Sequence, residues 1–316
     1  METGPMAADE AAEFEAMRPR LTGIAYRMLG EVQEAEDAVQ DAFLRWNGAD
    51  RAAVEEPRAW LTKVVTNLCL NRLTSARARR ESYIGPWLPE PVPAAAPGGP
   101  PGPLEPLETV QQRDSVSLAL LTLMESLTPA ERAVFVLREA FGYPHRQIAD
   151  ILEVSEASSR QLHRRARQRV ASAERRFAPG NAEWRRLVER FLDAAMRGNM
   201  SGLEQVLAED VVSWSDGGGK VSAARLPITG RARVARFLIG LARRGEELAP
   251  GRVATTVEEV NGVPAVVVRI RGALYGILVP EVSGDRITSL FVVVNPGKLA
   301  FADRALSRSG ESSGPS

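Results

Sequence analysis

The chain has 316 residues, 44% hydrophobic and 25% charged, with 40 basic and 40 acidic side chains and a formal net charge of zero. That is the make-up of a globular protein of two or three domains, and it excludes collagenous, low-complexity and membrane-spanning classes. It also excludes a protein that coats nucleic acid by bulk charge, while leaving room for a local basic reader. Cys69 is the single cysteine and cannot form an internal disulfide; with His145 and His163 the only histidines, neither a metal nor a cofactor is expected. No secretory pattern or apolar run of membrane length stands out, so the expectation is a cytoplasmic protein without a membrane partner.

In chain order, residues 1–10 read as a flexible leader and residues 11–80 as helical throughout. Between Glu31 and Trp46 the apolar Val32, Ala35, Val39, Ala42, Phe43 and Trp46 form one stripe, while Glu34, Asp37 and Asp41 line another face. Such an acidic face is either plain solvated surface or a docking surface for a basic partner. After Pro57, the residues Trp60, Leu61, Val64, Leu68 and Leu70 can be core. Lys63, Asn67, Asn71 and Arg72, followed by Arg77, Arg79 and Arg80, make a polar and increasingly basic surface suited to an unpaired DNA strand.

Residues 81–106 are rich in Pro, Gly and Ala and read as a linker. Helices resume over residues 107–177. Thr128, Pro129 and Glu131 make a helix start with a capping box. A short helix opening at Pro144, the turn Glu153-Val154-Ser155 and a helix burying Leu162, Ala166 and Val170 then form a helix-turn-helix. Its outer faces carry Arg160, Gln161, His163, Arg164, Arg167 and Arg169, side chains that reach base edges and phosphates.

From residue 181 the texture changes. Two helices, a strand at 211–215, a helix at 231–244 and strands at 253–260, 265–271, 273–279 and 286–294 describe an α+β domain ending near 304. Asn261-Gly262 is a hairpin turn. Residues 305–316 read as a disordered tail.

Taken together, Gly30–Trp46, Pro57–Arg72, Leu127–Glu139 and the helix-turn-helix resemble the extracytoplasmic-function sigma factors of bacterial RNA polymerase, over residues 11–176. The resemblance implies two all-α sigma domains, residues 11–80 and 107–177, with core RNA polymerase and promoter DNA as partners. Glu34, Asp37 and Asp41 would then dock on the β′ clamp helices. Lys63, Asn67, Asn71 and Arg72 would lie at the melted minus-ten element. Arg160, Gln161, Arg164 and Arg167 would face the minus-thirty-five element, with the β flap as the second contact on core.

The linker run Tyr83-Ile84-Gly85-Pro86-Trp87-Leu88-Pro89-Glu90-Pro91 resembles the signature of the sigma-factor group with a C-terminal SnoaL-like, ketosteroid-isomerase-type cone domain. Asp216-Gly217-Gly218-Gly219-Lys220 and Asn295-Pro296-Gly297-Lys298-Leu299 resemble that group's two further signatures. Gly297 departs from the acidic residue expected there, so an ion pair of the group is expected to be missing. The implied role of residues 181–304 is intramolecular regulation in place of a separate anti-sigma protein, with a small ligand as a further candidate partner.

Two rival readings remain open on the sequence. A helix-turn-helix regulator acting without polymerase would leave the acidic helix and residues 57–80 without a role. An enzymatic cone domain would need an acid or base in an apolar pocket, with Asp216 as candidate and Lys220, Arg231 and Tyr275 as companions; the domain contains no histidine. The expectation is therefore no catalytic residues and no enzyme activity.

Overall fold

The structure, a computed structural model, describes residues 5–50, 53–94, 117–174 and 181–311. The described residues divide into two compact units: 5–50, 53–79 and 123–171 in the first, and 80–94, 117–122, 172–174 and 181–311 in the second.

In the first unit, α1 (Pro5–Leu29), α2 (Val32–Asn47) and α3 (Pro57–Glu81) make a helical group. The expected leader is part of α1 from Pro5 onward, because the apolar spacing of its later turns carries the helix back toward the terminus. Gly30 takes φ 75 and its amide closes on Tyr26 O at 2.7 Å, which ends α1 and lets α2 start in a new direction. Of the stripe read in the sequence, Val32, Ala35, Val39, Ala42 and Trp46 are buried on α2, joined by Ala38, while Phe43 is half-buried. Trp46 meets Trp60 of α3 at 5.5 Å between ring centroids.

After α4 (Leu118–Met124), the capping box forms as its residues dictate: the Thr128 side chain accepts from the Glu131 amide, and the Glu131 carboxylate accepts from the Thr128 amide at 3.0 Å. It starts α5 (Pro129–Phe135), which widens into a π-helical turn at Val136–Ala140. The helix-turn-helix is α6 (His145–Leu152) and α7 (Glu156–Glu174). Its turn places Glu153 in the left-handed region, φ 56, and Ser155 Oγ caps α7 by accepting from Ser158 N at 3.1 Å. Ala166 and Val170 of α7 are fully buried and Leu162 is half-buried.

The second unit holds α8 (Asn181–Met196), α9 (Met200–Val206), β1 (Leu207–Asp216), β2 (Ile228–Thr229), α10 (Arg231–Leu248), β3 (Val253–Val260), β4 (Val263–Ile270), β5 (Ala273–Ser283), β6 (Arg286–Val293) and α11 (Pro296–Glu311). One six-stranded sheet runs in the order β2-β1-β6-β5-β4-β3, with β1 and β6 parallel and the other pairs antiparallel. Register shifts at Val268/Arg269 and at Glu281/Val282 bend the strands, the usual means of curving a sheet around a core. Asn261 and Gly262 take φ 52 and 78, the two left-handed residues that a tight hairpin between β3 and β4 demands.

Three further sequence expectations change. Residues 305–311, read as tail, continue α11, since Pro296 at its start and Leu299 and Ala302 buried along it give the helix a face to pack. Residues 117–122 belong with the second unit rather than with the helix-turn-helix, because Leu118 is buried in the second unit's core. Residues 82–94 are likewise no free linker: Leu88 joins that same core, and Pro93 forms an isolated bridge with Val260 at the edge of the sheet. The expected linker's remainder, residues 95–106, and residues 107–116, 175–180 and 312–316 lie outside the described residues.

Candidate functional site

In the second unit, two signatures and the proline-framed run meet at one buried carboxylate. Asp216 ends β1 with no exposed surface, and Lys298 in the first turn of α11 retains 8%; the two pair at 2.8 Å. Four donors converge on Asp216. Tyr83 Oη donates to Oδ1 at 2.6 Å and Gly218 N at 3.0 Å, while Leu88 N donates to Oδ2 at 2.9 Å beside Lys298 Nζ. Asn295 Nδ2 donates in turn to Tyr83 Oη at 2.9 Å, and Asn295 Oδ1 accepts from Gly297 N at 3.0 Å. Lys298 Nζ also donates to Leu88 O and sits 4.0 Å from the Trp87 ring centroid and 5.1 Å from that of Tyr83. A cation with a carboxylate, a carbonyl and two aromatic faces around it has its charge met from several sides.

A second clamp lies farther along the run. Asn261 N donates to Val92 O at 2.7 Å, Val92 N donates to Asn261 Oδ1 at 2.9 Å, and Ala94 N donates to Glu259 O at 2.9 Å. Pro86, Pro89 and Pro91 have no amide hydrogen, and the bonded amides of Leu88 and Val92 are among those the prolines leave able to donate. Pro89, Glu90 and Pro91 are buried.

Each glycine after Asp216 answers a separate close approach. A Cβ on Gly217 would meet Val221 O at 2.5 Å, one on Gly218 would overlap the Asn295 amide, and one on Gly219 would meet Ile84 Cδ1 at 2.9 Å. Gly218 and Gly219 also take φ 61 and 70. Lys220 is exposed. Its Nζ lies 3.3 Å from where a Gly297 Cβ would stand, so an acidic residue at 297 would sit beside it. Pro296 and Gly297 are exposed and Leu299 is buried.

In the first unit one expected DNA-facing residue, Arg72, is engaged with two of the expected polymerase-docking residues, Glu34 and Asp41. Arg72 donates to Glu34 Oε2 at 2.9 Å and to Asp41 Oδ2 at 2.8 Å, joining α3 to α2; Asp37 points outward and accepts from Gln33 at 3.2 Å. Asn67 is half-buried and Asn71 exposed along the same helix. Lys63 pairs with Glu153, the left-handed residue of the helix-turn-helix, at 2.9 Å. Arg160, Gln161, Arg164 and Arg167 are exposed along α7, with Arg160 bonded to Glu156 at 2.5 Å.

Several contacts in this unit had no signal in the sequence. The buried Arg132 of α5 donates from Nε and Nη2 to Arg27 O, each at 3.2 Å, and from Nη1 to Glu125; burial pushes its pKa down to about 9. Arg20 lies over the rings of Phe141 and Tyr143 at 5.2 and 5.1 Å, and Thr62 Oγ1 meets Tyr143 Oη at 3.0 Å. The rings of His145 and His163 lie 5.3 Å apart, tilted by 59°; His145 Nδ1 faces Ser159 Oγ at 3.0 Å and His163 Nε2 faces Glu139 at 2.6 Å. Burial among α3 and its neighbours pushes the Cys69 thiol up to about 12. Among the described residues no His/Cys/Asp/Glu group is placed to hold a metal, and no helix is long and apolar enough to cross a membrane.

An apolar cavity opens in the second unit between α8, α10 and the sheet. Of the residues weighed for acid-base chemistry, Tyr275 lines it; Asp216, Lys220 and Arg231 do not.

The chain matches the Sigma-70 region 2 family over residues 14–79 and the Sigma-70, region 4 family over residues 117–170. It is 34% identical over 301 residues to the ECF RNA polymerase sigma factor SigJ of Mycobacterium tuberculosis, covering 92% of this chain and 93% of that protein. A probable ECF RNA polymerase sigma factor, SigI, of the same species is 33% identical over 292 residues, covering 92% and 94%. The crystal structure of the Mycobacterium tuberculosis extracytoplasmic function sigma factor SigJ superposes with a TM-score of 0.73 at 32% identity, covering 92% of this chain and 98% of that one.

Proposed function

The chain belongs to the extracytoplasmic-function sigma factors, which direct RNA polymerase to specific promoters, and from that membership we propose how its parts divide the work. Residues 11–80 dock on core polymerase through the acidic face of α2 and read melted minus-ten DNA along α3. The helix-turn-helix reads the minus-thirty-five element with Arg160, Gln161, Arg164 and Arg167, bidentate donors being suited to guanine edges and phosphates. Residues 181–304 act as a regulatory domain, not an enzyme, and stand in for a separate anti-sigma protein.

The observation that carries the regulatory reading is the clasp. The stretch of chain that must run between the two promoter-reading regions is tied to the C-terminal domain by Asp216, Lys298, Asn295 and Asn261. Whatever holds that stretch limits which arrangements of the reading regions are populated. Promoter affinity scales with the competent fraction. The engagement of Lys63 by Glu153 and of Arg72 by Glu34 and Asp41 fits a free state in which reading groups are occupied internally. On this view those pairs exchange for polymerase and DNA during initiation.

In vitro transcription with core polymerase tests the proposal. Removing everything after residue 177 changes promoter output; equal output from full-length and truncated protein would overturn the regulatory role. Asp37→Arg weakens co-purification with core polymerase, and undiminished co-purification would remove α2 from the docking surface.

A further inference from the structure

The outward face of α10 is a strip of arginines with a bare centre. Arg233, Arg236, Arg243 and Arg244 are all exposed, while Val234, Ala235 and Leu238 hold the opposite face in the core. At 3.6 residues per turn these arginines, Gly240 and Glu247 fall within an arc of about 100°, and Arg233 to Arg244 spans about 16 Å. Glu247 is the one carboxylate in that arc, and it pairs with Arg243 at 3.5 Å. Glu246 beside it is turned to the Gly251 amide at 2.6 Å. Among the described residues Arg233, Arg236 and Arg244 have no ion-pair partner, and Arg233 and Arg236, one turn apart, repel each other. Gly240 stands between the two pairs of arginines. A Cβ there would meet nothing within 4 Å and its φ is not positive, so neither packing nor backbone geometry calls for glycine. Glycine is the least favourable helical residue after proline. What it supplies is a low point where a rod-like ligand can reach the helix backbone.

We propose that this face of α10 is a DNA contact of the C-terminal domain, gripping the phosphate backbone of a duplex without reading its sequence. Duplex DNA carries one negative charge per about 1.7 Å of axis, so a strip of about 16 Å meets several phosphates at once. Guanidinium groups on phosphates fix position and carry no sequence information. A protein partner would need an apolar or aromatic anchor at the centre of the contact, and the arc holds no apolar side chain. A membrane surface would need an apolar helix face to sink into lipid, and that face of α10 is already committed to the domain core. The surface shares no residue with the helix-turn-helix or with the clasp, and the proposal depends on the role of neither.

The test uses the full-length protein and a fluorescein-labelled duplex of random sequence, with Kd taken from anisotropy at several salt concentrations. Each phosphate contact removed lowers the slope of log Kd on log salt by about 0.9. The combined variant Arg233→Gln, Arg236→Gln, Arg243→Gln and Arg244→Gln should therefore lower the slope by about 0.9–3.6 and weaken binding about ten-fold or more at low salt. A promoter duplex should weaken by the same factor, because the contacts are sequence-independent. Gly240→Glu sets a carboxylate at the low point with no steric or backbone cost, and should weaken the random duplex about ten-fold on its own. Glutamine and glutamate are good helix formers, so circular dichroism and thermal unfolding should match the parent in both variants. A slope lowered by less than about 0.5 in the folded combined variant, or unchanged binding by folded Gly240→Glu, would overturn the site. Unchanged DNA binding with weakened co-purification of core polymerase would overturn it in favour of an acidic protein surface.

Discussion

Asp216→Asn is the sharpest perturbation of the clasp, because it preserves shape and removes only charge and one acceptor. The carboxylate accepts from Tyr83, Gly218, Leu88 and Lys298, two donors on each oxygen. An amide offers one oxygen. Whichever way it turns, its NH₂ faces two of those four donors, and Lys298, with 8% of its side chain exposed, loses its counter-charge. Breaking a buried pair in this way costs about 3–5 kcal/mol. The cheapest relief is for the run 83–92 to leave the domain surface, which frees Lys298 to reach water. At 1.36 kcal/mol per factor of ten, the opening equilibrium of that run should rise by about two to three and a half decades. Amide hydrogen exchange reads this directly: Leu88 N, bonded to Asp216, should lose about 100-fold or more of its protection. Amides in the middle of β6 should change far less. Leu88 protection within about three-fold of the parent, in a variant that folds, would refute the assignment of Asp216 as the anchor.

Gly218→Ala forces a side chain into φ 61 and into the Asn295 amide, so it should destabilise the second unit by about 2 kcal/mol or more; a smaller loss in thermal unfolding would show that the loop shifts freely. Gly297→Asp places a carboxylate beside Lys220 and in the first turn of α11, and should stabilise by about 0.3–1 kcal/mol at low salt, fading as salt is added. Burial, then the cations His163, Arg138 and Arg160, hold the His145 pKa below its ordinary 6.5 against the opposing Glu156. The unfolded chain therefore takes up this proton first as pH falls. The stability contribution is full above about pH 6.5 and is lost as pH drops through that value toward the folded pKa. In the parent, stability from denaturant unfolding should decline over this window, and His145→Gln should flatten the decline; an unflattened slope would assign it elsewhere.

How far the chain was legible depended on whether the cause was local. The capping box at Thr128 and Glu131, the Ser155 cap and the Asn261-Gly262 turn are each set by residues a few positions apart, and they form as read. Five of the sheet's six strands were found through alternation and turn residues, with ends displaced by a few positions where pairing with a neighbour decides the boundary; the two-residue β2 was not. The family and the α+β architecture were likewise legible, through motifs whose order matched.

What the sequence withheld is long-range pairing. Lys298 stood out as part of a signature, yet nothing local says that it pairs with Asp216, 82 positions earlier. Asn261 was visible only as a turn residue, although its side chain also clamps Val92. Arg72 read as a DNA-facing base because Glu34 and Asp41 lie 38 and 31 positions away. Arg132 sat inside an obvious amphipathic helix, with no sign that its guanidinium would be buried against the Arg27 carbonyl. Proline content marked residues 81–106 as a linker but misled about the freedom of 82–94: a proline-stiffened run suits an edge that docks as well as a spacer that spans.

In the proposed function the C-terminal domain acts on transcription by holding the run 83–92. Run-off transcription by core polymerase from a cognate promoter, driven by full-length Asp216→Asn beside the parent at equal sigma concentration, tests it most directly. Promoter output should shift by about five-fold or more, because releasing the run changes the fraction of competent molecules. Output within about two-fold of the parent, together with loss of Leu88 protection in the same preparation, would contradict it.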